Sequence, residues 1–358
     1  MRTWLERWRC LSVIGVLLKT MQRVHIVGGG LAGLSVGLLL RRAGVPVTVF
    51  EAGNYPRHRV CGEFICGMDR ADLDALGLED VLASARRHHT SAWFVGSRPL
   101  FAPRLPQPAL AVSRYRLDAA LAEKFRAAGG QLDCGRRIEP AAAGEGWVLA
   151  TGRTRGRARW LGLKAHYRRL PLAAGLEMHL AHGGYAGLTA IENDTVNVCA
   201  LLPALENRGG RRETLLPERL AGIGLSALAD RLSSAEVDGG SVTGVSHFAL
   251  SYRRESEHVM VLGDRAAMIP PFTGNGMSMA FQSALVAAPR LIAWSRGETS
   301  WTTACREVSR AMRHRFCCRM RWAACLHPFL LGSAGQSLLR GLVATHALPF
   351  GWLFARLH

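Results

Sequence analysis

The chain has 358 residues, 49% of them hydrophobic, and a formal charge of +18. This length predicts two domains, and the apolar fraction supports a packed core and excludes a disordered chain. The basic excess is almost all arginine (Lys19, Lys124 and Lys164 are the lysines) and matches no nucleic-acid module, so compositional bias explains it and no nucleic-acid partner is expected.

Residues 1–20 place Arg2, Arg7 and Arg9 before an apolar run, Leu11 to Leu18. That run is far shorter than the about 20 residues a spanning helix needs. No A-x-A-like cleavage site follows, and Met21 offers an alternative start. The segment reads as an N-terminal extension outside the natural start, or as a short amphipathic helix on a membrane surface.

Val24–Glu51 organises the rest of the chain. Val24–Val27 is a short β-branched run suited to a buried parallel strand. Gly28-Gly29-Gly30-Leu31-Ala32-Gly33 then supplies G-x-G-x-x-G, and Leu31 to Arg42 reads as helix until Gly44-Val45-Pro46 stops it. Val47–Phe50 is a second strand, with Glu51 at its end. Gly28 permits the tight turn, Gly30 lets backbone approach a pyrophosphate, and Gly33 lets the helix pack closely on the strand. The first-turn N–H groups of Leu31 and Ala32 face the phosphates, and Glu51 can accept from the adenosine ribose. This is a dinucleotide site, and the motif alone leaves FAD and NAD both open.

Arg57-His58-Arg59-Val60-Cys61-Gly62-Glu63-Phe64 forms a basic loop returning toward the carboxyl ends of the strands. Asp69 to Ala85 carries helical periodicity, interrupted at Gly77. Ser91–Val95 and Ala109–Val112 read as strands. Ser113 is a candidate N-cap for the helix carrying Leu117, Leu121 and Phe125 at i, i+4, i+8. Arg114 at that helix start either reaches a phosphate or stays solvated. Ile138 sits in an expected strand and is a candidate cofactor-binding residue, and Trp147–Ala150 leads into Thr151-Gly152.

From Gly162 onward the pattern alternates, with Leu176–Leu180 and Val196–Ala200 continuing it. This predicts a β-rich second domain, followed by a helical segment from Glu213 to Ser233. Val259–Gly263 is a further strand ending in Gly-Asp. Asp264 there accepts from polyol hydroxyls or caps a helix. Gly274-Asn275-Gly276-Met277 precedes a long helix, about Ser278 to Ser295, and offers N–H groups without side-chain obstruction. The tail, 302–358, alternates arginines with apolar residues and then turns apolar. It is either a solvated amphipathic face or a helix lying on anionic lipid.

The nine cysteines form no C-x-x-C and no zinc spacing, so no metal is expected and the thiols read as those of a reduced cytoplasmic protein. Three stretches in order, GGGLAG with Glu51, SRYRLD, and VLGDRAAMIPPFTGNGMSMAF, resemble the geranylgeranyl-reductase-like flavoproteins of the para-hydroxybenzoate-hydroxylase fold. The resemblance covers most of residues 22–300 and implies FAD as the resident cofactor. It implies that Asp264 binds the ribityl chain, that Gly274–Gly276 faces the flavin pyrimidine, and that Arg114 lies near the pyrophosphate. VCGEF is similar to the Cys-Gly-Glu segment of the reductase branch, which puts Cys61 near the isoalloxazine ring.

The departures are specific. Arg265 stands where the family usually has alanine, Thr151-Gly152 replaces the hydroxylases' Asp-Gly, and Gln282-Ser283 replaces an aspartate. The halogenases' tryptophan-rich motif and a second G-x-G-x-x-G are absent. The expected class is therefore α/β: a discontinuous Rossmann-type FAD-binding domain (21–85, 109–160, 250–300), a β-rich substrate domain (86–108, 161–249) and a helical C-terminal region (301–358).

The leading functional expectation is an FAD-dependent reductase. It delivers hydride to a double bond of an apolar, isoprenoid or lipid-like substrate, with NAD(P)H or another reduced carrier as electron donor. Cys61 is then the candidate proton donor (or a small buried hydrophobe), with Glu63 as acid or orienter. One alternative is a flavin monooxygenase hydroxylating an aromatic or polyketide-like molecule, oriented by Lys164, His166, His179 or Tyr185. Another is a non-catalytic flavin-binding or membrane-associated subunit. Localisation is expected to be cytoplasmic, with the tail as a contact to the inner face of the membrane.

Overall fold

A computed structural model of the protein describes residues 21–139, 144–154, 160–204, 211–246, 248, 250 and 258–358, so the extension 1–20 lies outside the described residues. The opening unit is β1 (Val24–Val27), α1 (Leu31–Arg42) and β2 (Val47–Glu51). A loop leads to β3 (Phe64–Ile65), α2 (Arg70–Leu76) and α3 (Glu79–Leu82). Strands β4 (Arg86–Val95), β5 (Arg98–Phe101) and β6 (Arg104–Ala111) follow. Then α4 (Arg114–Ala127) returns to β7 (Gln131–Cys134) and β8 (Trp147–Leu149). Next come β9 (Trp160–Arg168), β10 (Leu176–Ala181), β11 (Gly184–Ala190) and β12 (Thr195–Pro203). The chain continues through α5 (Leu215–Gly222), α6 (Ser226–Ser233), β13 (Glu236–Ser246) and β14 (Met260–Val261). It ends with α7 (Gly276–Ser295), α8 (Trp301–Leu331), α9 (Ser333–Ala344) and α10 (Phe350–Leu357).

Five strands make a wholly parallel sheet in the order β14-β8-β1-β2-β7. Helices cover it, and its central strands bury apolar side chains, with Val24, Ile26 and Val49 at 0% exposure. The second sheet runs β13-β9-β12-β11-β10-β4-β6-β3, with β5 paired to β4. It is antiparallel except between β10 and β4. The α/β class, with a Rossmann-type sheet, a β-rich second sheet and C-terminal helices, is the one the sequence pattern predicts.

Local chemistry fixes the elements that carry the site. A side chain at Gly33 would collide with the Gly28 carbonyl, so α1 lies directly on the turn. Phe125 of α4 fills the space left by Gly37, locking α4 to α1. The Ser113 hydroxyl accepts from the N–H of Arg116 at 3.2 Å and caps α4, as predicted.

Ile138 departs from expectation. It lies half-buried in a loop, and the strand on this edge is β7, which has already ended at Cys134. Leu132 is the only large apolar residue in β7, so the alternation was too weak to place it. β14 is also shorter than predicted, at two residues. β3 and β6 pair in the second sheet, although 21–85 and the end of β6 were assigned by sequence to the nucleotide domain.

Candidate functional site

The turn after β1 is built for close approach. Gly28 has φ +106°, and its N–H donates to Phe50 O at 2.8 Å. A Cβ there would strike the carbonyl of Ala150, which follows β8. By contrast, a Cβ on Gly30 would meet nothing within 4 Å. No side chain caps α1 and no acid lies in its first turn, so its leading N–H groups remain free to bind an anion. Leu31 and Ala32, buried in that first turn, supply backbone only.

Glu51 sits at the end of β2, as the motif predicts, and its carboxylate is already crowded. Its Oε2 accepts from Gly29 N at 2.9 Å and from Arg59 at 3.3 Å. Its Oε1 accepts from Gly53 N at 3.0 Å and from Arg57 at 2.6 Å. Burial alone raises this carboxyl, but Arg59, Arg57 and the two N–H groups overcome it and hold the group below the usual carboxylate range. The Tyr55 hydroxyl donates to Gly29 O and closes over the turn.

The late Gly-Asp segment meets this turn directly. A Cβ on Gly263 would lie 3.0 Å from Ala32 Cβ, which places Asp264 beside the start of α1. Ser283 Oγ of α7 accepts the Gly263 N–H at 3.1 Å. Asp264 lies inside a 3₁₀ turn whose N-cap is Leu262, so it is not a helix cap. Burial pushes its carboxyl up, and the fields of Arg114, Arg153 and Arg59 offset this only in part. All three guanidinium charges therefore act on Asp264.

Gly274 ends a second 3₁₀ turn in left-handed geometry, and the Phe64 ring occupies the space where its Cβ would be. A Cβ on Gly276 would meet nothing within 4 Å, and Met277 packs inward at the start of α7. Asn275 behaves differently from its sequence assignment. Its N–H donates to Thr273 Oγ1 at 3.3 Å and its Nδ2 to Leu357 O at 2.6 Å. Its donors are committed to protein, because a fully buried amide must be satisfied where it lies.

The Cys61-Gly62-Glu63 turn is held from several sides. Asn197 Nδ2 donates to Cys61 O at 3.0 Å, and Thr189 Oγ1 donates to Gly62 O at 2.9 Å. Val112 N donates to Glu63 O at 3.1 Å. Glu63 itself has φ +59°, a left-handed conformation uncommon for a residue with a Cβ. Its side chain accepts from Arg114 N at 3.0 Å and His166 Nε2 at 2.7 Å, and pairs with Lys164 Nζ at 3.2 Å. Burial raises its carboxyl, but the His166 bond and the Lys164 charge outweigh it, and the group stays ionised. Glu63 thus holds Arg114 N, His166 and Lys164 together as an ionised carboxylate.

Cys61 is half-buried beside Arg114. Burial raises its thiol more than the Arg114 guanidinium lowers it, so it remains protonated. Arg114 is bidentate to the fully buried Asp118, at 2.7 and 2.8 Å, and Arg59 Nε reaches the same carboxylate at 2.9 Å. One chain of charges therefore runs Glu51–Arg59–Asp118–Arg114 and ends beside the neutral thiol of Cys61. His58, held down to about 4 by burial and by Lys164, is neutral, so its Nδ1 accepts from Lys164 Nζ at 3.1 Å.

Sequence reasoning missed Arg57, Arg59, Asp118, Ser283 and Asn197. Asp118 had a signal, lying four residues after Arg114 on one helix face. Ser283 and Asn197 had none, because their partners are distant backbone groups. Of the four residues named for orienting an aromatic substrate, Lys164 and His166 join the Glu63 cluster. His179 instead bonds Glu177 at 2.8 Å, and the Tyr185 hydroxyl accepts the Phe272 N–H at 3.2 Å. Both are committed to structure.

These residues fit a dinucleotide flavin. An uncapped helix start, open space at Gly30 and the nearby charges of Arg114, Arg153 and Arg59 match a pyrophosphate, and the open space at Gly276 leaves room for a ring. Asp264 matches a polyol.

A family model described as an NAD(P)-binding Rossmann-like domain matches residues 26–60. The menaquinone reductase of Mycolicibacterium smegmatis is 26% identical over 346 residues, covering 80% of each chain. Among solved structures, p-nitrophenol 4-monooxygenase PnpA from Pseudomonas putida is 19% identical with a TM-score of 0.73, covering 94% of this chain and 97% of that one. PqsL, a probable FAD-dependent monooxygenase from Pseudomonas aeruginosa, is 18% identical with a TM-score of 0.68, covering 89% and 99%. The chain shares the fold of these monooxygenases.

Proposed function

We propose that the protein is an FAD-dependent oxidoreductase that reduces an apolar lipid, of the quinone or isoprenoid class. The flavoprotein part rests on the Gly28–Gly33 turn, on Gly263-Asp264 packed against Ala32 of that turn's helix, and on the open space at Gly30 and Gly276. Bound there, FAD would supply two-electron hydride chemistry, with NAD(P)H or another reduced carrier as the electron source. The first-turn N–H groups of α1 and Arg114 would hold the pyrophosphate, and Asp264 would hold the ribityl chain.

The observation that carries the reductase reading is Cys61. A protonated thiol at the flavin-facing loop, fixed by Asn197 and by Glu63 N–H at 3.4 Å, can give a proton to the carbon opposite the one receiving hydride. The curated relatives named menaquinone reductase support the lipid-quinone class. A second reading, hydroxylation of an aromatic substrate, draws on the solved monooxygenases of this fold and on the buried Lys164–Glu63–His166 cluster, which can orient a phenolic group.

The test is anaerobic. The flavin-loaded protein is reduced, oxygen is excluded, and a menaquinone or a short polyprenyl alkene is admitted. Flavin reoxidation with a saturated or reduced product is the expected result, and Cys61→Ala should slow product formation on an alkene while leaving flavin reduction unchanged. Turnover that needs oxygen and yields a hydroxylated product replaces this reading with the second.

A further inference from the structure

We propose that the C-terminal helices form a docking surface for an anionic lipid bilayer, with α9 and α10 lying on the membrane. The inference stands apart from the proposed reaction, since it concerns binding alone. The last 51 residues, 308–358, contain no Asp or Glu and seven arginines. Such an imbalance is complementary to an anionic surface and to little else that is flat and extended.

The structure sorts these arginines. Arg319 points inward, donating to Gln282 Oε1 at 3.0 Å and to His358 O, and Arg315 pairs with Asp72 at 2.6 Å. Both belong to the fold. Arg310, Arg313, Arg321, Arg340 and Arg356 are exposed. The amphipathic face expected from the sequence is therefore narrower on α8, and the basic charge extends onto α9 and α10.

Apolar anchors accompany that charge. Among the described residues three large hydrophobic side chains are exposed, and two are here: Leu338 of α9 at 56% and Trp352 of α10 at 48%. Trp352 packs edge-on against Trp322 of α8, and Arg356 lies over its ring at 5.1 Å. A tryptophan with an arginine on its face suits the headgroup boundary, where one part is apolar and the other wet. The exposed positions of α9 also include Ala334, Gly341 and Ala344, which let a helix lie close to a surface. Among the described residues no helix is long and apolar enough to cross a membrane, so the contact is peripheral.

The flavin-loaded full chain is mixed with vesicles of phosphatidylcholine alone and of phosphatidylcholine with phosphatidylglycerol, then sedimented. Binding should require phosphatidylglycerol and weaken with salt. Arg340→Glu should lower the partition coefficient by more than about fivefold, the weight of one basic residue near such a surface. Leu338→Glu, at an exposed position that leaves folding intact, should lower it further, and blue-shifted Trp352 emission should accompany binding of the parent protein. Equal binding to both vesicles, or undiminished binding by both variants, overturns the proposal. So does a salt-stable dimer that Leu338→Glu dissociates, which would make this face an interface between copies. Preferential capture of the helices by single-stranded RNA over vesicles would overturn it as well.

Discussion

Lys164 and Glu63 face each other at 3.2 Å with neither side chain exposed to solvent. They come from a strand of the second sheet and from the loop after the nucleotide turn, so the pair joins the two halves of the site. Such a pair adds little net stability over an apolar core, but breaking it leaves a buried charge uncompensated.

Glu63→Ala should therefore destabilise the fold by about 3–5 kcal/mol, the cost of stranding a buried charge. Glu63→Gly relieves the left-handed backbone but loses the same three partners, so it should recover only about 1 kcal/mol of that loss. Urea denaturation of both variants checks this. Equal stability of Glu63→Ala and the parent would mean that Lys164 finds another partner.

Asp264→Ala should weaken FAD retention by about 10–100-fold, the weight of a hydrogen bond to a charged group. Flavin fluorescence on dilution reads the change directly. Unchanged occupancy would reduce Asp264 to a turn residue.

Gly30 and Gly33 should separate binding from folding. A methyl at position 30 enters open space in the groove, whereas one at position 33 strikes the Gly28 carbonyl. Gly30→Ala should fold normally and bind FAD at least about tenfold more weakly, close to 1.4 kcal/mol. Gly33→Ala should lower the thermal midpoint even without cofactor. Calorimetry of both apoproteins makes the distinction.

Stability should fall in mild acid. Burial holds His58, His327 and His358 each down to about 4, with Lys164 assisting at His58 and Arg319 at His358. Unfolded histidines titrate near 6.5, so between these values the unfolded chain binds up to three more protons. Stability thus rises with pH across this window and is lost as pH falls through it. Glu63, with its carboxyl held low, adds a further loss below its ordinary 4.5. Thermal midpoints from about pH 7 down to about pH 4 test the slope. His327→Phe should flatten it, and an unchanged slope would assign the loss elsewhere.

The elements with strong periodicity were legible in the sequence. Val24–Glu51 is a strand, turn, helix and strand because apolar runs and glycine spacing act over a short stretch of chain. Asp264 and Gly276 were legible because each sits at a strand end or helix start, positions where backbone geometry limits the options. What stayed hidden depends on contacts between distant segments. Nothing near Ser283 marks it as the acceptor for Gly263, 20 residues away. Arg319 looked like part of a basic face, and only the packing of α8 against α7 turns it inward. Ile138 failed for a different reason, since a short edge strand with one large apolar residue carries little pattern.

Glu51 already has a donor for each of its lone pairs, so a ribose hydroxyl arriving there exchanges one partner for another and gains little. The asymmetry lies with the wrong visitor. A ligand that pushes Arg57 aside without bringing a hydroxyl strands a buried acid, and a site of that kind rejects far more strongly than it attracts. On the proposed flavoprotein reading, the carboxylate at the end of β2 would act as a sieve for nucleotides, sorting them by what they carry at the sugar.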